Sequence, residues 1–104
     1  MEDKLGQLRR RFLERCKANL PVLQAGHSLL DDATGDEQKD FLALVHSLAG
    51  AGGMFGFQEI SNAAIELETV LRDEDGPIDV VAAHALLRRL VTATCAALQD
   101  VEKS

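Results

Sequence analysis

Three histidines and two cysteines are the side chains of this protein best suited to nucleophilic or metal chemistry, and His46 differs from the rest in its surroundings. It lies in LVHSLAGAGGMFGF, residues 44–57, an apolar helical pattern interrupted by Gly50, Gly52, Gly53 and Gly56. A neutral imidazole is the majority form at pH 7, because its unperturbed pKa is about 6.5, and it is a competent nitrogen nucleophile. The glycines bear on that chemistry. Each costs a helix about 0.8–1 kcal/mol relative to Ala, and glycine is kept where another backbone or surface must come close. Gly52 points toward the apolar stripe of its helix and is expected to let two helices pack tightly, while Gly50 and Gly53 leave the imidazole clear of its surroundings. An unobstructed His on a rigid helix, ringed by small apolar residues, is a nucleophile presented to a protein partner. The bland alternative is a half-buried histidine that only packs.

Other chemistries find no support. Cys16 and Cys95 are far apart, with no CxxC and no Cys/His pair at ligand spacing, so neither a metal site nor a disulfide framework is expected. They read as small buried residues of a reduced, cytoplasmic protein. His27 follows Gly26 at the expected end of the first helix and reads as a solvent-facing cap, whereas His84 flanks an apolar stripe and reads as structural. There is no GxxxxGK[ST] phosphate loop, and GAGG lies inside a helix instead of between a strand and a helix. The net charge of −6 argues against a nucleic-acid or anionic-membrane partner, since such surfaces attract clustered Lys and Arg. Arg9-Arg10-Arg11 is a short basic run diluted by acids. The chain starts with charged residues and no apolar run approaches the ~20 residues that a bilayer needs, so neither a signal peptide nor a membrane span is expected.

The elements that must position His46 are helices. At 104 residues the chain is expected to be a single domain, 1–104, with one modest core. Leu5, Leu8, Phe12, Cys16, Leu20, Leu23 and Leu30 set a helical rhythm in which Pro21 either kinks one helix or separates two. After the polar break DDATGDEQKD, Phe41, Leu44, Val45, Leu48 and Phe55 mark a second helix capped by Thr34 or Asp36. Ile60, Ala63, Ala64, Leu67, Val70 and Leu71 mark a third. RDEDGP then predicts a turn, with Gly76 ending one helix and Pro77 opening the next, whose stripe runs from Val80 through Leu87 and Leu90 to Val101. Short connections between long helices make antiparallel neighbours, so the expected fold is all-α, an up-and-down antiparallel four-helix bundle.

On the second helix, Phe41, Leu44, Val45 and Leu48 define the buried stripe, and Leu42 and Ala49 widen one flank. His46 falls just beyond that flank. A partner-facing surface is therefore expected around it, made of Lys39, Leu42, Ala43, Ala49, Gly50 and Gly53; Met54 and Phe57 belong either to the core, which helical spacing favours, or to the rim of that docking patch.

HSLAGAGGMFG resembles the motif H-x-L-K-G-x5-G of histidine phosphotransfer (HPt) domains, with His46, Leu48, Gly50 and Gly56 in register. FLERCKANLPVLQ before it and Leu67-Glu68 after it extend the resemblance over nearly the whole chain and its helix order. The resemblance implies a phosphorelay: His46 takes a phosphoryl group from the aspartyl phosphate of one receiver domain and passes it to the aspartate of another. The receiver brings the Mg²⁺ and the lysine that neutralise the moving group, so no cofactor or metal is expected on this chain. In the chemotaxis-kinase member of the family a carboxylate twenty-two residues after the histidine accepts a hydrogen bond from Nδ1–H, and Glu68 matches that position. Such a bond would fix the tautomer and leave Nε2 as the lone-pair nitrogen. The chain departs from the motif at Ala49, where relatives carry the Lys. Lys39, about 10 Å away by helical rise, is a weak substitute.

The expected partners are response-regulator receiver domains, a hybrid histidine kinase or both, and the protein is expected to be a monomeric carrier without catalytic turnover of its own. Two alternatives stay open: the phospho-accepting domain of a chemotaxis-type kinase, and a non-catalytic helical adaptor with a decayed motif. The chain's own Met1 and the lack of a following dimerisation helix lean toward a stand-alone carrier.

Overall fold

The helical rhythm closes into four helices in the computed structural model, which describes residues 4–32, 35–72 and 79–103: α1 (Lys4–Asp32), α2 (Gly35–Met54), α3 (Gln58–Arg72) and α4 (Val80–Lys103). Pairs of residues across the interfaces give the direction of each helix. Arg9 meets Phe55 and Gly26 meets Phe41 between α1 and α2; Gly53 meets Ser61 and His46 meets Glu68 between α2 and α3. Arg89 bonds Glu66 between α4 and α3, while Ile60 shares a groove with Ala97. Each consecutive pair is antiparallel, and α4 returns to pack on α1, so the bundle is up-and-down as expected. Cys16 and Leu23 of α1, Val45 of α2, Ile60 and Leu67 of α3, and Leu87 and Leu90 of α4 are sealed from solvent in one core. Full burial of an aliphatic side chain contributes about 1.5–3 kcal/mol.

Several local expectations are corrected. α1 is one helix of 29 residues that runs through Pro21. The proline is exposed while Leu23 is fully buried, so the missing backbone bond falls on the solvent side and packing on both flanks carries the helix across it. Phe55 lies in a turn and not in α2. Asp36 sits inside the first turn of α2 and so does not cap it, whereas Thr34, Gly76 and Pro77 lie outside the described residues. The observed cap of α4 is Asp79, whose Oδ1 accepts the Ala82 N–H at 3.1 Å. Val80–Gln99 of α4 is long and apolar enough to cross a membrane by length and composition, contrary to expectation. Its stripe of Ala83, Leu87 and Leu90 is nevertheless buried in the bundle, and Arg88 and Arg89 stand exposed beside it.

The α2–α3 turn explains part of the glycine run. Phe57 N–H bonds the Gly52 carbonyl at 2.7 Å and Gly56 N–H points to that of Gly53 at 3.4 Å, a Schellman closure with Gly56 in the left-handed region at φ 84°. Arg9 of α1 donates to the Phe55 carbonyl at 2.8 Å, and Phe12 packs on both Phe55 and Phe57, with ring centroids 5.7 and 5.4 Å away. The turn is thus gripped from α1. The reading of Phe57 as packed holds, but Met54 is 74% exposed and does not belong to the core.

At the other end, His27 is not a solvent-facing cap. It is half-buried, and its Nδ1 lies 2.7 Å from Nδ1 of His84, whose Nε2 lies 2.8 Å from Asp31 Oδ1. The rings are nearly coplanar, at 6°, with centroids 5.0 Å apart, a separation matching two rings that meet edge to edge through that N···N contact. Only one proton fits between the two nitrogens. Cys16 is a buried thiol pushed up to about 11 by burial, against a smaller opposing pull from Arg15, and is therefore unreactive.

Candidate functional site

His46 projects from the middle of α2 with 68% of its side chain exposed. Its Nδ1 lies 2.7 Å from Oε2 of Glu68 on α3, a side chain only 16% exposed. An ionised carboxylate only accepts, so Nδ1 carries the hydrogen and Nε2 holds the lone pair. The same oxygen accepts a second bond, from Nε of Arg72 at 2.8 Å. Burial pushes the Glu68 carboxyl up, but the Arg72 guanidinium and then the His46 ring hold it below its ordinary value, and it is ionised near neutral pH.

Close approach of two backbones brings α3 under the ring. A Cβ on Gly52 would lie 3.1 Å from the Ser61 nitrogen and 3.3 Å from the Phe57 carbonyl oxygen, so Gly52 is where α2 meets α3. Ser61 Oγ, itself buried, donates to the Ala49 carbonyl at 2.8 Å and ties the helices one turn further on. With both points fixed, the antiparallel hairpin carries Glu68 to the level of His46.

The residues expected around the ring separate into three groups. Lys39 and Ala43 are exposed, and Lys39 and half-buried Leu42 line an open groove of about 270 Å³ with Leu29, Phe41 and Leu71. Gly50 is exposed, and a Cβ there would meet nothing within 4 Å, so packing among the described residues leaves room for a larger residue at its first carbon. Gly53 is exposed too, but a Cβ there would come within 3.2 Å of Ser61 Oγ, so its smallness also serves packing. Ala49 is corrected: at 8% exposure it belongs to the core cluster and not to an accessible surface, because its position turns toward α3.

An exposed imidazole with its Nδ1–H held by a carboxylate is a nitrogen nucleophile ready for an electrophile delivered by another molecule. A family model described as the Hpt domain matches residues 7–101. The chain belongs to the Hpt family. No curated protein and no solved structure matches it. Hpt domains carry phosphoryl groups on a histidine in phosphorelay signalling, and they interact with receiver domains and histidine kinases. Among the described residues of this Hpt domain, no group of three or more His, Cys, Asp or Glu side chains is placed to hold a metal ion.

Three contributors to the site were not singled out from the sequence. Arg72 follows Glu68 by four residues, a spacing that puts the two on one helix face, and this signal was available in ELETVLR. Ser61 and Arg9 act through the partner helix, at separations of 12 and 46 residues, and no local pattern announces them.

Proposed function

We propose that this Hpt domain is a phosphorelay carrier that accepts a phosphoryl group on Nε2 of His46 from the aspartyl phosphate of one receiver domain and yields it to the aspartate of another. The observation that carries this reading is the exposed imidazole whose Nδ1 is engaged by Glu68 at 2.7 Å. The Nε2 lone pair forms the N–P bond as the acyl-phosphate P–O bond breaks, and the donor leaves as a carboxylate. Positive charge grows on the ring as the bond forms, and the Glu68 carboxylate beside Nδ1–H offsets it. Return transfer reverses each step. The charge on the phosphoryl group itself is met from the receiver's side, by its Mg²⁺ and lysine, so the chain needs no cofactor and has no turnover alone. The receiver docks over Lys39, Leu42, Ala43, Gly50 and Gly53. The carrier acts as a monomer in the cytoplasm.

Incubation with a panel of phosphorylated receivers tests the proposal. The expected result is acid-labile phosphate on the parent chain and none on His46→Gln; a labelled His46→Gln chain overturns it. The Glu68 contact equally suits the second reading, the substrate domain of a chemotaxis-type kinase. Labelling by ATP with a separate catalytic domain, and not by receivers, would favour that alternative.

A further inference from the structure

Ala49 leaves α2 without the cation that the family motif places after its Leu, and α3 brings a guanidinium to the site instead. Arg72 Nε and His46 Nδ1 converge on one oxygen, Oε2 of Glu68, at 2.8 and 2.7 Å. The two nitrogens are therefore separated by no more than two hydrogen-bond lengths. An acid four residues before a base is the favourable order on a helix, yet exposed pairs of this kind contribute little by themselves. This pair differs because its carboxylate is only 16% exposed and already serves the ring. Arg72 makes this contact through Nε of a planar guanidinium, whose N–H has a fixed direction in the plane, whereas the donors of a lysine ammonium rotate.

We propose that Arg72 is the positioning residue of the phosphoryl-accepting site: by binding Glu68 it keeps the carboxylate aimed at Nδ1–H of His46 and so holds the ring in the tautomer whose Nε2 is the nucleophile. Arg72 also precedes His46 among the groups that hold the Glu68 carboxyl low. Without the guanidinium the carboxylate is free to turn toward water, and an unheld imidazole populates both tautomers. The geometry stands apart from the carrier reading, while its consequence for phosphoryl transfer rests on it.

The test uses the full chain and two readouts. Imidazole nitrogen NMR above about pH 7.5, where an ordinary histidine is neutral, reports the His46 tautomer ratio in the parent, Arg72→Gln and Arg72→Lys. Arg72 is 56% exposed, so the substitutions leave the fold intact, as circular dichroism checks. Arg72→Gln is expected to shift the ratio severalfold toward the Nε2–H form. It is also expected to slow phosphoryl uptake from phosphoramidate by about three- to tenfold, the scale of losing one charge-assisted hydrogen bond that acts through a second group. Arg72→Lys restores part of both effects. An unchanged tautomer ratio in Arg72→Gln overturns the proposal and reduces Arg72 to a surface ion pair. If the parent accepts no phosphoryl group from phosphoramidate or from any receiver, the carrier reading falls, and the tautomer ratio still decides the role of Arg72.

Discussion

His46 contributes little to the packing of the bundle, since its side chain is mostly in solvent. His46→Gln should therefore abolish phosphoryl acceptance while shifting thermal stability by no more than about 0.5 kcal/mol, the range of surface substitutions; labelling and a melting curve check the two halves. The neighbouring glycines should part company. Gly50→Leu is expected to block receiver docking in a binding assay with stability equal to the parent or higher, because helix propensity improves and the new Cβ meets no atom of its own fold within 4 Å. Gly53→Leu should also lose stability, since its Cβ alone comes within 3.2 Å of Ser61 Oγ. At Ala49 the expected effect of lysine is structural: buried against α3, Ala49→Lys should lower the urea midpoint, with an overpacking penalty of about 1–3 kcal/mol. Periodicity placed Ala49 on the rim of the stripe, and only the position of α3 shows that the rim is covered.

The helices themselves were legible because apolar residues recur at three- and four-residue steps from Phe12 to Leu23, from Phe41 to Leu48 and from Ile60 to Leu67. Their ends were less so. Phe55 has the right spacing for α2, but Gly56 closes the helix ahead of it, and a cap of that kind is set by a backbone angle and not by an apolar pattern. Pro21 is a strong helix breaker in isolation, yet tertiary packing overrides it when the lost bond faces water. Gly56→Ala should accordingly destabilise the protein by roughly 1–2 kcal/mol, the cost of a left-handed backbone angle in a residue with a Cβ. A further loss is expected because that Cβ comes within 3.1 Å of the Arg9 guanidinium. Urea unfolding of the variant beside the parent measures the sum.

Across the whole molecule, α1 and α4 are joined near one end by the chain Asp31, His84, His27, and this link has a pH dependence. His27 is held below its ordinary value by burial first, then by His84 and Arg88, against the opposing pull of Asp31. Because the folded pKa lies below the unfolded one, the stabilisation is present above about pH 6.5 and is lost as pH falls through the folded value. Charging both rings would set two N–H groups face to face across 2.7 Å. The urea midpoint should fall between about pH 8 and about pH 5, and the slope should flatten in His27→Gln. None of this was legible in the sequence, since His27 and His84 stand 57 residues apart and only the antiparallel closure joins them. By contrast His46, its clear surroundings and Glu68 were legible, the first two from helix geometry and the third from the resemblance.

The open space over Gly50 matters to a cell that runs many relays side by side. A single carbon added there would meet no atom of the fold within 4 Å. On the proposed docking surface, a change at Gly50 would therefore be felt by the receiver before it is felt by the bundle, which makes this glycine a point at which one pathway can be kept apart from another.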